Sequence, residues 1–411
     1  MYKERRSRLL EALPDYSLSV LYSGIAPYAI GDERYPFKVD RSFYYYTGLD
    51  RENMTLVLVK LPGSNVETLF LEPFDPQMAK WVGGKMLPQE ATEISAIEDV
   101  RFVEELKQYI SSIINRYGNG HAFSLYGDLN RQQLSQPLPV VDLLNEIKKA
   151  HPDVTVCNLF EHTTRMRMVK DEEEIAMMKQ AIEITRQGIE AMMINSRPYV
   201  SENEMEAYFD FVLKSENCEH AFGTIAASGR NATVLHYGAN NCRSKEDEML
   251  LVDLGAAYKY YNADISRTFP LSGKFTDRQK QLYDIVLRCN KMIIEEAKPG
   301  ETTRSLNMKV IRFYEKELKE IGLLENGKKV SDYYWHGVSH HLGLETHDVT
   351  LFDEPLVPGC VITNEPGLYL EDEGIGIRIE DDILITEDGC EVLSKDIIKE
   401  IEDIENFMRR N

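Results

Sequence analysis

Leu250–Pro270 reads LLVDLGAAYKYYNADISRTFP, and its pattern decides the fold class. An apolar strand ends on Asp253 and a glycine turn, a tyrosine-rich hairpin follows, and a second strand carries Asp264. Further along the chain the same order returns. VITNEPG places Glu365 beside a Gly turn, and GIRIEDDILI carries Glu380 in the strand after it. The segments upstream match too. A helix ending near Ser196 runs into RPYVSENEM and a second helix, and a helix ending near Ala297 runs into KPGETTRSL and another. Pro198 and Pro299 correspond, and Ser201 and Thr302 are each placed to cap the helix that follows. Two helix–helix–strand–strand halves, each with two acids, predict a pseudo-twofold domain with a carboxylate-lined centre.

Working towards the N-terminus, a boundary falls near Arg165–Asp171, dividing the chain into domains 1–165 and 166–411. The second domain opens on a long helix whose Ile175, Met178, Ile182, Ile189 and Met192 form one apolar stripe. Glu172–Glu174 sit in its first turn, where the helix dipole favours negative charge. In the first domain, Leu18–Tyr22, Met54–Val59, Thr68–Leu71, Ala122–Tyr126 and Val154–Val156 read as strands. Val103–Ile114 and Val140–Ala150 read as helices, and the aromatic run Phe43–Thr47 is expected to pack against the strands. This alternation predicts an α/β or α+β domain.

Composition narrows the partners. The chain of 411 residues is 43% hydrophobic and carries 47 basic against 68 acidic side chains, a formal net charge of −21. Nucleic-acid backbones and anionic membranes attract basic patches, so neither is expected as a partner. The six cysteines are widely spaced with no CxxC pair, which reads as reduced thiols in a cytoplasmic protein. The opening MYKERRSRLLEAL has positive charge but no apolar run behind it, so no secretory signal is expected. No apolar stretch approaches the roughly 18–20 residues that span a bilayer.

Asp253, Asp264, Glu365 and Glu380 all lie in or beside apolar strands. Four acids cannot share an apolar centre without strong repulsion. Divalent cations relieve it, and oxygen-rich donors suit Mn²⁺, Mg²⁺ or similar ions. HGVSHHLGLETHD adds His336, His340, His341 and His347. His336 and His340 have the spacing of a zinc-protease helix, but Gly337 stands where HExxH needs its glutamate, and Gly337 with Val338 disfavours helix. That motif is rejected in favour of a ligand-plus-acid/base role for this histidine segment. Four acids with one His suffice for two cations, and paired metals about 3.5–4 Å apart activate a bridging water and polarise a carbonyl.

The strings TIAASGRNATVLHYG, LLVDLGAAYKYYNADISRTFP, HGVSHHLGLETHD, VITNEPGLY and GIGIRIEDDILIT resemble the pita-bread metallopeptidases. They are most similar to aminopeptidase P, with prolidase next. YPFKVDRSFYYYTGL resembles the amino-terminal domain of bacterial aminopeptidase P, so the likeness covers nearly the whole chain. It implies an N-terminal α/β domain followed by a pita-bread catalytic domain. It also implies Asp253, Asp264, His340, Glu365 and Glu380 as ligands of two divalent metals, Mn²⁺ first, with Co²⁺ or Zn²⁺ as alternatives. Asp264 and Glu380 would bridge both ions. His236 resembles the proton-shuttling, substrate-orienting histidine, and His347 the one that contacts the scissile carbonyl. His336 would line the pocket for the residue after the cleaved bond, and Arg378 would hydrogen-bond beside the metals.

The implied reaction releases the N-terminal residue from peptides with proline second. A metal-bridging hydroxide attacks the carbonyl, and Glu365 moves the proton to the leaving nitrogen. A homodimer or homotetramer is implied as well. Prolidase, which cuts only X-Pro dipeptides, is the rival enzyme. Ser339, where prolidases tend to have Gly, and the amino-terminal domain favour the aminopeptidase. A non-catalytic binding protein of the same fold is the rival of another class, and the intact ligand set argues against it. Two positions depart from the family pattern. Phe222 stands where a Tyr often contacts a ligand. Ser42 stands where an acid often precedes the aromatic run, with Asp40 two residues earlier, so the contact to the substrate amine is not carried over.

Overall fold

The computed structural model describes residues 1–118, 120–129 and 139–410. The chain divides into two compact units, Met1–Arg165 and Met166–Asn411.

The first unit is built on β1 (Ser17–Tyr22), β2 (Thr55–Leu61), β3 (Ser64–Leu71), β4 (Asp99–Phe102), β5 (Ser124–Gly127) and β6 (Thr155–Asn158). They form one sheet in the order β4-β3-β2-β1-β5-β6. β1, β2 and β3 pair antiparallel, and the outer strands join in parallel. Its helices include α1 (Tyr2–Ala12), α2 (Arg41–Thr47), α3 (Leu106–Tyr117) and α4 (Pro139–Ala150). Leu18, Val20, Val57 and Val59 point to one face of the sheet, as alternation requires, and pack with Ile110 and Ile114 of α3 and Leu144 and Ile147 of α4. The expected helix from Val103 begins instead with a 3₁₀ turn at Val103–Glu105, and the α-helix starts at Leu106. The aromatic run is itself helical. Asp40 caps α2 by accepting from the Phe43 N–H at 2.9 Å, and Gly48 ends it at φ 70°, a conformation glycine adopts without penalty.

The second unit opens on α5 (Glu172–Ile194), whose N-cap Asp171 and Glu174 satisfy each other's backbone N–H groups. Met178, Ile182, Ile189 and Met192 are buried, whereas Ile175 is half-buried and Glu174 turns inward in its stead. α6 (Glu202–Ser215), α7 (Asp277–Glu296) and α8 (Thr303–Glu320) complete the helix pairs. Thr302 caps α8 by accepting from the Ser305 N–H. Ser201 occupies the N-cap of α6 but makes no side-chain cap. The Cys242 carbonyl takes the Glu202 N–H there, and Ser201 pairs in a bridge with Arg243.

The strands that follow are β7 (Glu219–His220), β8 (Ile225–Ser228), β9 (Met249–Leu254), β10 (Ala256–Tyr258), β11 (Tyr261–Asn262) and β12 (Ile265–Pro270). After α8 come β13 (Val361–Asn364), β14 (Gly367–Leu370), β15 (Ile375–Arg378), β16 (Asp381–Ile385) and β17 (Cys390–Val392). β9 pairs antiparallel with β12, and the hairpin β10–β11 lies between them in sequence. β13 pairs antiparallel with β16, and the hairpin β14–β15 lies between those. The pseudo-twofold repeat is therefore a repeat of strand topology. GIRIEDDILI is not the single strand its apolar run suggests. It breaks at Ile379–Glu380, and its two pieces join different sheets. Asp264 stands at the matching break between β11 and β12. Each break turns a carboxylate out of the ladder and towards the centre. Gly255 and Gly367 open the two hairpins where the backbone comes close. A Cβ on Gly255 would lie 1.8 Å from the Ala263 carbonyl oxygen, and one on Gly367 would lie 2.5 Å from the Tyr369 hydroxyl. Among the described residues, no helix is long and apolar enough to cross a membrane.

Candidate metal centre

Asp264, His340 and Glu380 each present a ligand atom within 4.8 Å of the others. Asp264 is 4% exposed and Glu380 2%. His340 comes from the irregular segment before β13, anchored by its N–H to the Thr363 hydroxyl at 3.1 Å. Its Nδ1 donates to the His341 carbonyl at 3.0 Å, which leaves Nε2 with its lone pair outward. That Nε2 faces Asp264 Oδ2 at 3.4 Å and Glu365 Oε1 at 3.6 Å. A lone pair set against two carboxylate oxygens requires a proton or a cation between them. Donors that share one metal at about 2.0–2.2 Å lie roughly 3–3.5 Å apart, so the spacing fits a common ion.

Asp253 joins from β9, where it pairs with Ser266 across the ladder. Its Oδ2 accepts from Arg378 Nη2 at 2.7 Å, and its Oδ1 is buried without a hydrogen-bond partner among the described residues. An orphaned anionic oxygen aimed into a carboxylate cluster is an acceptor that a cation would satisfy.

The electrostatics agree. Burial, with the charge of Asp253, carries Asp264 up to about 6 despite its hydrogen bond to His340. Burial carries Glu365 up to about 7 against the pull of His340 and Arg378. Glu380 is pushed well above the carboxylate range by burial, then by Asp264, Glu365 and Asp253. Burial alone would depress His340, but its hydrogen bond and charge contact with Asp264, aided by Glu365, lift it to about 9. Each of these shifts favours the protonated form of its group. Metal binding needs the deprotonated donors, so affinity should be weakest in acid and tighten as pH rises through these values. Titration of Mn²⁺ at pH 6 and pH 8 should show tighter binding and less proton release at the higher pH; a pH-independent affinity would contradict the donor set.

Arg378 organises the surroundings. It is 4% exposed and uses all three nitrogens. Nη2 donates to Asp253, Nη1 to the Tyr369 hydroxyl at 3.0 Å, and Nε to the Ser266 hydroxyl at 2.7 Å. Ser266 in turn donates to Glu380 Oε2 at 2.8 Å. The Tyr369 hydroxyl lies 2.9 Å from His336 Nε2, while His336 Nδ1 meets the Gly337 carbonyl at 2.7 Å. Burial, then Arg378, holds His336 down to about 4, so the ring is neutral and both nitrogens are engaged. His347 is exposed and packs edge-on against His340 at 4.3 Å between centroids. Desolvation by the protein around its ring, then His340 and His236, depresses it. His236 is exposed between two inward-facing neighbours, Leu235 and Tyr237. All nine residues expected to act at the site therefore gather at one centre.

Sequence reasoning missed Ser266, Tyr369 and Thr363. The first had a usable signal: Ser266 is two residues from Asp264, as Arg378 is from Glu380, and such pairs project to the same side of extended chain. Asp40 is engaged as the cap of α2.

A family model described as metallopeptidase family M24 matches residues 176–387, and one described as the aminopeptidase P N-terminal domain matches residues 2–122. A Xaa-Pro aminopeptidase of Haemophilus influenzae is 31% identical over 99% of this chain and 96% of its own. The chain belongs to metallopeptidase family M24. Two solved structures place its backbone within that family. An aminopeptidase P from Escherichia coli, held with the inhibitor Pro-Leu, is similar at 30% identity and a TM-score of 0.90, covering 100% of this chain and 98% of the other. A Bacillus anthracis structure provisionally described as an aminopeptidase P is similar at 44% identity and a TM-score of 0.95, with the same coverage. The M24 match contains all of the carboxylates and histidines of the centre.

Proposed function

We propose that this M24 chain is a Xaa-Pro aminopeptidase: it releases the N-terminal residue of peptides whose second residue is proline. The observation that carries the reading is the buried cluster of Asp264, His340 and Glu380, flanked by Asp253 and Glu365 and set between the two halves of the repeat. Asp264 and Glu380 would bridge two divalent cations, Asp253 and Glu365 would complete separate sites, and His340 would bind one ion. Hard oxygen donors with a single imidazole favour Mn²⁺, and Co²⁺ or Zn²⁺ also fit. When bound, the metal pair supplies an activated water and polarises the scissile carbonyl.

The protein's own groups do the rest. Glu365, with a proton affinity raised towards neutrality, takes the proton of the attacking water and passes it to the leaving nitrogen. His347, exposed beside His340, donates to the oxygen on which charge develops. His236 orients the substrate and moves protons at the rim. His336 walls the pocket for the residue after the cleaved bond. Both of its ring nitrogens are engaged, so that wall offers no acceptor to an amide N–H. Proline has none to offer. Trp335, itself exposed, packs on the Tyr369 ring at 5.0 Å between centroids.

Replacing that proline with alanine buries an N–H without a partner, at about 1–3 kcal/mol, and forfeits the ring's apolar contact. An X-Pro-Y tripeptide should therefore exceed its X-Ala-Y counterpart in kcat/KM by at least about tenfold. Equal rates would leave a general metallo-aminopeptidase. Cleavage of the X-Pro dipeptide with little action on the tripeptide would make the enzyme a prolidase instead. The family likeness also supports a cytoplasmic homodimer or homotetramer, which sedimentation of the purified chain measures directly.

A further inference from the structure

We propose that Glu202 is the positioning residue for His236: its carboxylate gathers the segment from Ser228 to Cys242 and thereby holds His236 at the metal centre. This rests on the reading of His236 as a group that faces the substrate.

Glu202 opens α6 and is 1% exposed. Its Oε1 accepts from the Ser228 N–H at 2.8 Å, the Ser228 hydroxyl at 2.9 Å and Asn231 Nδ2 at 2.9 Å. Its Oε2 accepts from the Tyr237 hydroxyl at 2.7 Å and the Cys242 N–H at 2.9 Å. These donors lie at both ends and in the middle of one segment. Asn231 also donates to the Tyr237 hydroxyl at 3.0 Å, which closes the network on itself. A buried anion met by this many donors is strongly directional, because each charge-assisted bond is shorter and stronger than a neutral one.

His236 is immediately before Tyr237, and the two point oppositely. Leu235 and Tyr237 pack against Ile225, Ala227, Ala232, Leu251 and Tyr369, while His236 is exposed. Fixing the Tyr237 hydroxyl therefore fixes where His236 emerges. The same Tyr369 ring that buttresses Leu235 and Tyr237 carries the hydroxyl shared by Arg378 and His336. Among the described residues, the side-chain hydrogen bonds of Glu202 reach none of the five proposed ligands, so its effect on the reaction must pass through this segment.

The test is a double-mutant cycle on the full-length, Mn²⁺-loaded enzyme with an X-Pro-Y tripeptide. Glu202→Gln keeps the shape but turns an amide N–H₂ towards existing donors. It should lower kcat about tenfold to a hundredfold, a share of what a positioned acid–base group contributes, with KM and metal content little changed. In a His236→Ala background the same substitution should cost less than about twofold, because the group it positions is gone. Tyr237→Phe removes one donor from the segment side, and its smaller loss in kcat should likewise vanish in that background. It carries the test if Glu202→Gln does not fold. If His236→Ala lowers kcat but the losses add, Glu202 is a structural residue and the proposal fails alone. If His236→Ala leaves kcat unchanged, the reading of His236 falls and takes this proposal with it.

Discussion

Glu380→Ala is expected to abolish turnover and to leave the protein unable to hold a pair of divalent cations. Asp264→Ala should do the same. Both side chains lie at breaks between strands of different sheets, and both are almost wholly buried. Ser266 fixes Glu380 from one side, and His340 faces Asp264 from the other. Each carboxylate is proposed to serve two ions, so its loss removes a donor from both. The water that such a pair would activate is lost with it, and residual turnover should fall by several orders of magnitude. A Ser266→Ala control removes only the hydroxyl that orients Glu380 and should be much milder. Metal analysis after dialysis, paired with kcat, makes the check. An Ala variant that retained two tightly bound ions and near-normal rates would refute the assignment of bridging ligands.

Arg378→Met should strike both stability and activity. The guanidinium is buried, and its three nitrogens serve Asp253, Tyr369 and Ser266. Methionine keeps much of the volume but leaves the partly buried Asp253 with neither oxygen satisfied. Breaking a buried charge pair on one side costs about 3–5 kcal/mol. In a domain of this size each kcal/mol shifts Tm by about 2–4 °C, so a fall on the order of 10 °C is expected in the metal-free protein. Added metal should recover part of it, because a cation can neutralise Asp253 in place of the arginine. Arg378→Lys should rescue poorly, since an ammonium cannot span three acceptors held in a planar fork. A Met variant melting within a degree of wild type would show that the network contributes nothing.

The acids of the centre were legible because each violates its surroundings. Asp253 ends an apolar strand, and Glu365 follows one. Glu380 sits inside an apolar run that would ordinarily exclude charge. The halves of the repeat were legible because the helix entries at Pro198 and Pro299 recur with the strands. The break in GIRIEDDILI was not, because a strand that leaves one sheet and joins another keeps its apolar alternation throughout. Ser201 satisfies every local rule for a cap, yet the chain brings the Cys242 carbonyl there instead. Phe43–Thr47 has the composition of a strand and folds as a helix, held by Asp40 and Gly48. Glu202 left no trace at all. It lies among the other polar residues of SENEM, and its partners are 26 to 40 positions away.

The placement of the proposed ligands on both halves of the repeat bears on the order in which the centre can assemble. A chain emerging from the ribosome presents Asp253 and Asp264 long before His340, Glu365 and Glu380. Glu365 and Glu380 reach the centre only through the pairing of β13 and β16. Arg267 then bonds the carbonyls of Ser266 and Glu380 and those of Ile397 and Ile398, so the second half is locked onto the first only after synthesis has passed these residues. A chain that stopped short of these residues would thus lack half of the proposed centre and the arginine bonds that join the two halves.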